Sequence, residues 1–503
     1  MSIPLTPKSI RNIGSNGLIR QTSVDSSLMP EGAVMEVKNF HFDRIGAATL
    51  RPGLTGIGTN TASAGNVCIG LHNARGSTLI AWFHVGAGGG GSGVKIPNTL
   101  NAYTWSQAFT SIGGESGVTL NVRFLDFNEY TLMIPVASTG TYASMQYAQY
   151  PFTTVATSGN PLNTQQFMNV DGNRASFGKV YKSKVYLAGD PDTPSRLFYS
   201  SVINSAGNIS WSPSTDYVDI NPGDGEIISA LERYSLELLV FKPNYMYRFR
   251  TTGLDPDPLI KLGTRSQESV IEGKKGLYFH HDSGFYRYSG GYPVEISRPV
   301  ADFVDAITVA QSKTIASWKD SDHIYWSVQG DLTVAEPKEA TLWRNLVFRY
   351  TESSELWTIY SYAFPIGRGA PFVTATSSSI SVGLNNGVVA ELNKGVTDVG
   401  ESIKYFAITR WLELDGIQYD QAITKLATIA EKGIGAQLMY QIDESTQWTT
   451  VSPDVRKLVT LFKHSTPNFN RIRFKIAGVS NQESVVFLGI EILEGINYGL
   501  ITK

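Results

Sequence analysis

The chain has 503 residues and a formal net charge of −2, a balance that gives no electrostatic drive toward nucleic acid or anionic membranes. Cys68 is the only cysteine, which excludes an intramolecular disulfide and a cysteine-based metal site and suits folding in a reducing cytoplasm. We find no signal-peptide pattern and no run of about 18 apolar residues, so we expect neither secretion nor a membrane span.

The composition favours an all-β protein with more than one domain. Only 17% of the residues are charged and 11% are aromatic, while Gly, Ser, Thr and Asn are abundant. This mixture is typical of many short strands joined by tight turns. The length exceeds the size at which a single hydrophobic core stops growing, so two or more domains are expected.

The first 30 residues are polar and aperiodic, which predicts an extended arm. Strand–turn–strand patterns then recur, each with β-branched or aromatic arms around a turn-forming centre. The eight predicted hairpins are Val67–Val85, Val122–Val136, Lys179–Gly189, Leu236–Arg250, Gly276–Gly290, Thr314–Val328, Leu346–Tyr360 and Ser379–Leu392.

Hairpins at such intervals indicate a β-propeller of about five to seven irregular blades, and two stacked β-sandwiches are the alternative. After Gly400 longer alternating strands predict a C-terminal antiparallel β-sandwich. The predicted division is an arm with a first hairpin at 1–59, a propeller at 60–398 and the sandwich at 399–503.

Several motifs that suggest chemistry have a simpler structural interpretation. "GAGGGG" (Gly86–Gly91) lacks a following helix, so we interpret it as a loop tip and not as a phosphate site. His280 and His281 point to opposite strand faces and are expected at the surface. The loop carboxylates are consistent with ordinary turns, although paired carboxylates could also serve a glycosidase; they are Asp190, Asp192, Asp224, Glu226, Asp255 and Asp257. We therefore predict no catalytic residue, no cofactor and no metal site.

One basic stretch stands out near the C-terminus. Between Val455 and Lys475, aromatic residues interleave with six cations, and we propose these cations as a possible partner contact: Arg456, Lys457, Lys463, Arg471, Arg473 and Lys475. Nucleic acid could bind such a pattern, and so could an acidic partner. The alternative is an ordinary solvated strand face.

Two short strands, "VKNFHF" and "AATLR", flank the turn "DRIG" and end in Arg51-Pro52-Gly53, where the chain can reverse. With "MPEGA" upstream, this order resembles the N-terminal signature of tail nozzle proteins of short-tailed bacteriophages, also called packaged-DNA stabilisation or head-closure proteins. The matching positions are Pro30, Gly32, Glu36, Asn39, Arg44, Gly46 and Arg51-Pro52-Gly53. The segment from Arg196 to Phe249 and the C-terminal "NRIRFKIAG" and "VFLGIEI" are similar to the same family.

The resemblance implies a structural, non-enzymatic virion protein that is made and assembled in the host cytoplasm and located in the virion tail. Such proteins form a homohexameric ring below the portal and adaptor, close the channel that holds the viral double-stranded DNA, and anchor tail fibres or spikes. We expect the hairpin either to build the sheets or to dock on a ring neighbour or adaptor through Asn39, Arg44, Arg51, Pro52 and Gly53. The alternatives are a propeller glycosidase and a carbohydrate-binding tail adhesin.

Overall fold

A computed structural model describes most of the chain, and the described residues are almost entirely β structure. Those residues are 3–20, 29–44, 46–57, 67–76, 78–84, 92–97, 106–109, 119–137, 145–150, 155–156, 162–168, 174–249, 257–335, 340–373, 378–416, 418–432, 435–443, 445–455, 458–480 and 484–500. The predicted all-β class is confirmed.

The N-terminal segment contributes short strands to sheets that are completed by distant parts of the chain. Its described strands are β1 (Ile3–Pro4), β2 (Lys8–Arg11), β3 (Val34–Lys38), β4 (Phe40–His41), β5 (Ala48–Leu50) and β6 (Leu54–Gly56). Of these, only β4 and β5 pair with each other, through Phe40 opposite Leu50 and His41 opposite Thr49. The others find their partners more than 300 residues further along the chain.

Seven consecutive antiparallel sheets of four strands each follow in the described residues. Sheets one to four consist of β7 (Val67–Ala74), β8 (Thr78–His84), β9 (Ser92–Pro97), β10 (Ser106–Phe109); β11 (Thr119–Phe127), β12 (Tyr130–Ala137), β13 (Gln146–Gln149), β14 (Val155–Ala156); β15 (Phe177–Tyr181), β16 (Lys184–Ala188), β17 (Arg196–Tyr199), β18 (Tyr217–Asp219); and β19 (Ala230–Tyr234), β20 (Glu237–Phe241), β21 (Met246–Phe249), β22 (Asp257–Ile260).

The remaining three sheets continue in chain order. They consist of β23 (Ile271–Glu272), β24 (Leu277–His281), β25 (Gly284–Tyr288), β26 (Val294–Glu295); β27 (Ala316–Lys319), β28 (His323–Ala335), β29 (Ala340–Thr351), β30 (Leu356–Ser361); and β31 (Ile366–Val373), β32 (Ser378–Leu384), β33 (Val389–Leu392) with β6. The described helical segments are short: α1 (Thr164–Met168), α2 (Ala301–Asp305), α3 (Val309–Ser312) and 3₁₀ turns at Gln267–Ser269 and Arg298–Val300.

The seven sheets form a propeller-like ring. The first strands of neighbouring sheets contact one another from β7 through β11 and β15 to β19, and β27 contacts β31, which returns to β7. Between β19 and β27 the 3₁₀ turn Gln267–Ser269 contacts both strands. Because β6 pairs with β33, strands from both ends of this region complete the seventh sheet and close the ring.

Two larger sheets form the C-terminal part. Their own strands are β34 (Ile403–Thr409), β35 (Tyr419–Lys432), β36 (Ala436–Ile442), β37 (Thr449–Val455), β38 (Leu458–Lys463), β39 (Ile472–Ser480) and β40 (Val486–Leu500). In sheet eight the order is β38-β35-β40-β5-β4, with β1 and β2 also paired to β40, and in sheet nine it is β3-β34-β39-β36-β37. The predicted boundaries at 59 and 398 stay predictions, but residues 3–50 share both sheets with the C-terminal segment.

A continuous apolar core joins the C-terminal sheets to the ring. Phe40 from the hairpin, Trp326 and Trp357 from sheet six, and Ile472 and Phe474 from sheet nine are all buried in it. Alternation along β39 explains the burial, since Ile472, Phe474 and Ile476 point inward while the residues between them are half-exposed. The two parts of the molecule are therefore packed together and not merely linked.

Candidate functional site: the interdomain joint and the cationic face

Arg51 is the centre of a buried joint between the N-terminal hairpin, the ring and the C-terminal sheets. Its Nη1 and Nη2 atoms donate to the two carboxylate oxygens of Asp398 at 2.8 and 2.6 Å. The remaining donors reach Asn39 Oδ1 at 2.8 Å, the Ser361 carbonyl at 2.9 Å and the Pro52 carbonyl at 3.0 Å. All five N–H groups of the guanidinium thus have acceptors within the chain.

Asn39 holds the same joint from the other side. Its backbone is in the left-handed region at φ 64°, a conformation that asparagine tolerates better than most residues. The side-chain amide donates to the Lys404 carbonyl at 2.7 Å, and Oδ1 accepts from the Ser361 backbone N–H at 2.7 Å in addition to Arg51. One side chain therefore ties β34 of sheet nine to the end of sheet six.

Gly53 occupies a position where the chain passes very close to another loop. A Cβ atom built on Gly53 would lie 2.0 Å from the Thr397 carbonyl oxygen, so any side chain would collide with backbone. The Gly53 N–H donates to the Gly395 carbonyl at 2.9 Å, which fixes this approach. Pro52 directs the chain into it and supplies a carbonyl acceptor to Arg51.

Other residues of the N-terminal signature behave differently from one another. Glu36 is buried and forms an ion pair with Arg20 at 2.8 Å. Arg44 is exposed and pairs with Glu431 of β35 at 2.6 Å. Asn39, Arg51 and Gly53 are used inside the chain, whereas docking of the hairpin on a ring neighbour or adaptor stays a prediction, with Arg44 as its accessible member.

Three of the six predicted basic residues lie together on the outer surface of sheet nine. Arg471, Arg473 and Lys475 occupy alternate positions and share one side of the sheet. Lys463 is instead at the end of β38 in sheet eight, and Arg456 and Lys457 lie outside the described residues. The structure therefore does not bring the described members of the stretch into a single cluster.

Aromatic rings hold these cations in place. The Arg473 guanidinium lies 4.7 Å from the centre of the Trp411 ring and 5.3 Å from that of Trp448. Arg471 also lies over Trp411, and Lys475 lies between Trp448 and Phe406. We call this surface the cationic face: Lys38, Lys404, Phe406, Trp411, Trp448, Arg471, Arg473 and Lys475.

Positive charge accumulates on the cationic face. Among the described residues, Lys38, Lys404 and Arg471 form no ion pair with a carboxylate. Burial and the nearby positive charges of Lys404 and Arg51 lower the pKa of Lys38. Burial is the largest of these causes, and the like charge of Lys404 adds to it.

A cavity of about 590 Å³ lies at the centre of the ring, lined by the first strands of the sheets. Glu268, from the 3₁₀ turn, accepts from Arg123 of sheet two at 2.5 and 3.0 Å and lies 3.8 Å from Arg368 of sheet seven. Burial alone would raise the pKa of Glu268, but the two arginines hold it well below its usual range. Sequence reasoning missed this network, because no local motif marks Glu268.

Two other carboxylates that line the cavity also have basic partners, whereas Glu272 forms no ion pair with another described residue. Asp126 lies 3.0 Å from His72, and Glu232 lies 2.6 Å from Lys179. A glycosidase needs one carboxyl group with a raised pKa to act as the acid. In the described part of the chain, hydrogen bonds and nearby cations outweigh burial and lower the pKa of eight carboxyl groups: Asp43, Asp126, Glu268, Asp282, Asp320, Asp322, Glu355 and Glu431.

Three of the loop carboxylates noted in the sequence serve turns or a buried ion pair, while Asp257 lies in strand β22. Asp190 accepts from the Asp192 backbone N–H at 3.0 Å, and Glu226 accepts from that of Asn244 at 3.1 Å. Asp224 forms an ion pair at 2.7 Å with Lys242, whose side chain is buried. Asp255 lies outside the described residues, as do Gly86–Gly91. The described residues contain no group of three or more His, Cys, Asp or Glu placed to hold a metal ion.

The expectation that both histidines of the 280–281 pair lie at the surface is wrong for His280. His280 is buried against Phe285, with ring centres 5.0 Å apart, while His281 is half-buried. The alternation of β24 puts His280 on the side that packs inward. None of the helices in the described part of the chain has the length and apolar character to cross a membrane.

Comparison with known proteins gives no family model and no curated protein that matches the chain. Similar solved structures include the extracellular domain of a putative hybrid two-component system of B. thetaiotaomicron, at 12% identity and a TM-score of 0.39, covering 67% of this chain and 39% of that one. The AfRom2 CNH domain is 9% identical, with a TM-score of 0.39 and coverage of 68% and 99%. The extracellular domain of a putative one-component system of B. thetaiotaomicron is 8% identical, with a TM-score of 0.43 and coverage of 87% and 58%.

Proposed function

We propose that this chain is a structural component of the tail nozzle of a short-tailed bacteriophage. In this proposal copies of the chain form a homohexameric ring below the portal and adaptor, retain the packaged genome and anchor tail fibres or spikes. The protein would be synthesised and assembled in the host cytoplasm and would function in the virion tail.

The observation that carries the proposal is what the signature residues do. Asn39, Arg51 and Gly53, which carry the sequence resemblance, build the joint that locks the hairpin to the ring and to sheet nine. Glu36 lies in the adjoining strand β3 with its own buried partner. The signature residues therefore form specific contacts between the two parts of the molecule. Residues that matched the family only because they are common in turns would not need to form such contacts.

Ion pairs occupy the centre of the seven-sheet ring within each subunit. This arrangement suits a subunit that lies beside the DNA path and does not let DNA pass through its own centre. The ion pairs of Glu268 with Arg123 and Arg368 cross the central cavity of the ring. We therefore place the double-stranded DNA between subunits. The near-zero net charge limits the phosphate contacts that would add salt-dependent friction to DNA passage.

The proposal is tested by electron microscopy of the purified full chain mixed with portal and adaptor proteins of the same phage. Six-fold rings capping the portals are the expected result. Free chains that ignore portals but bind host cells or glycan arrays would replace the nozzle with an adhesin. Shortening of capsule polysaccharide by the chain would replace it with a hydrolase.

A further inference from the structure

We propose that the cationic face of sheet nine is a docking surface for an extended, acidic segment of a partner protein. The inference does not rest on the nozzle function, because it follows from the charge, spacing and aromatic support of this surface alone. The proposal states what kind of partner the cationic face binds. Of the residues on this face, only Arg471, Arg473 and Lys475 belong to the basic stretch that was predicted from the sequence.

The spacing of the cations fits an extended partner. Arg471, Arg473 and Lys475 alternate along one strand direction, so neighbouring cations start about 7 Å apart on the backbone. Carboxylates at alternate positions of an extended peptide have the same repeat. Lys404 of β34 is exposed and widens the positive surface to one side, next to the half-buried Lys38 of β3.

The aromatic residues make the face rigid before any partner binds. Each of Arg471, Arg473 and Lys475 lies within about 5 Å of an aromatic ring centre, and Arg473 also donates to Gln441 Oε1 at 2.6 Å. Long cationic side chains that are already positioned lose less conformational freedom on binding. Tryptophan and arginine are also the residue types enriched at protein–protein hot spots.

A groove of about 790 Å³ continues the face toward the N-terminal arm. Arg410 and Trp411 line one wall of the groove, and Lys8 and Arg11 of β2 line the other. Glu31 and Glu413 also line the groove and Arg11 pairs with Glu491, so the groove extends the path open to a bound segment without extending the positive surface. The length of this path favours a peptide segment over a small anion.

The same features favour a protein over nucleic acid. Proteins that bind single strands offer open aromatic rings on which bases stack. Here the rings of Trp411, Trp448 and Phe406 lie against the chain's own cations. The chain also has no overall positive charge that would draw a polynucleotide to it.

The test measures fluorescence anisotropy of labelled probes with the full-length chain at low and at physiological salt. The probes are an extended peptide of about twelve residues with Glu or Asp at alternate positions, its Gln/Asn counterpart, and a DNA duplex of similar length. The face variant is Lys404→Glu with Lys475→Glu, and Arg471→Glu is a second, milder variant. Lys261→Glu with Lys313→Glu makes the same change in net charge at exposed sites elsewhere and serves as the control.

We expect the acidic peptide to bind the natural chain and the control alike, and to bind the face variant at least tenfold more weakly, with Arg471→Glu in between. The Gln/Asn peptide should not bind. Equal affinity of the face variant and the control for the acidic peptide, or no binding of that peptide to the natural chain, would overturn the proposal. Preferential binding of the duplex that is lost in the face variant would overturn it in favour of a nucleic-acid contact. Circular dichroism of each variant confirms folding.

Discussion

Arg51 and Asp398 are separated by 347 positions in the sequence and meet in a buried, two-pronged ion pair with N–O distances of 2.8 and 2.6 Å. The guanidinium also lies 3.9 Å from the centre of the Tyr362 ring. This pair connects the N-terminal hairpin to the segment that leaves the ring for sheet nine. The free energy of unfolding that is lost when this pair is broken therefore measures how strongly the two parts are held together.

Replacing Arg51 should destabilise the protein strongly. Arg51→Met leaves Asp398 buried without its partner, and breaking a buried pair in this way costs about 3–5 kcal/mol. Arg51→Lys keeps the charge but cannot fill five acceptors, so we expect a smaller loss of about 2 kcal/mol. Chemical denaturation of the full chain gives the free energies of unfolding.

The matched control for Arg51 is Arg44→Met, at an exposed pair with Glu431. An exposed pair contributes about 0–1 kcal/mol, so this change should have little effect. Equal losses from the Arg51 and Arg44 variants would show that the joint does not hold the two parts together.

Adding a single methyl group at Gly53 should also disturb the joint. In Gly53→Ala the new Cβ would collide with the Thr397 carbonyl, and forcing atoms into a packed site costs about 1–3 kcal/mol. Gly291→Ala is the control, because a Cβ there meets nothing within 4 Å. If both alanine variants melt at the same temperature, the close approach at Gly53 is not needed.

Local patterns predicted the hairpins but not their partners. All eight predicted hairpins are strand pairs in the structure, because turn residues and alternating arms are properties of adjacent positions. Sheet six contains two of these hairpins, so the eight correspond to only seven sheets. The turn at Lys182 and Ser183 has neither Gly nor Asn, the residues that best tolerate positive φ, yet both of its residues have positive φ.

Long-range contacts had no signal in the sequence. Nothing near Lys8 indicates that β2 pairs with β40, nearly 500 residues later in the chain. Likewise, Glu268 has an ordinary neighbourhood, and its importance comes from arginines in sheets two and seven. Basic residues on a strand were recognisable, but only the structure separates Lys463 from Arg473.

His280 should make the stability of the protein fall between pH 7 and pH 5. Burial lowers the pKa of His280 to about 3, while the unfolded chain binds the proton near pH 6.5. The unfolded state therefore binds more protons below pH 6.5, and stability decreases as pH falls from there toward 3. At pH 5 this single site accounts for about 2 kcal/mol, at about 1.4 kcal/mol per pH unit.

Measuring the free energy of unfolding from pH 5 to pH 7 checks this site. His280→Leu should flatten the dependence by about 2 kcal/mol, because the titrating group is gone. Phe285→Leu, which alters the same cluster without a titrating group, should lower stability equally at both pH values. An unchanged slope in His280→Leu would mean that His280 takes up a proton in the folded state.

Glu268 should hold the centre of the ring together through its charge. Its carboxylate joins Arg123, Arg368 and the Asn121 amide, so that sheets two and seven meet at one residue of the 3₁₀ turn. Glu268→Gln keeps the shape of the side chain but leaves two arginines without their anion, and a loss of about 3 kcal/mol in the free energy of unfolding is expected.

Glu355→Gln is the control at an exposed carboxylate that also pairs with two cations, Lys275 and Arg287, and it should cost less than about 1 kcal/mol. Adding Arg368→Met to Glu268→Gln should recover part of the loss, because one unpaired buried cation is removed with it. A double variant that is as unstable as the sum of the two single variants would show that Glu268 and Arg368 do not interact.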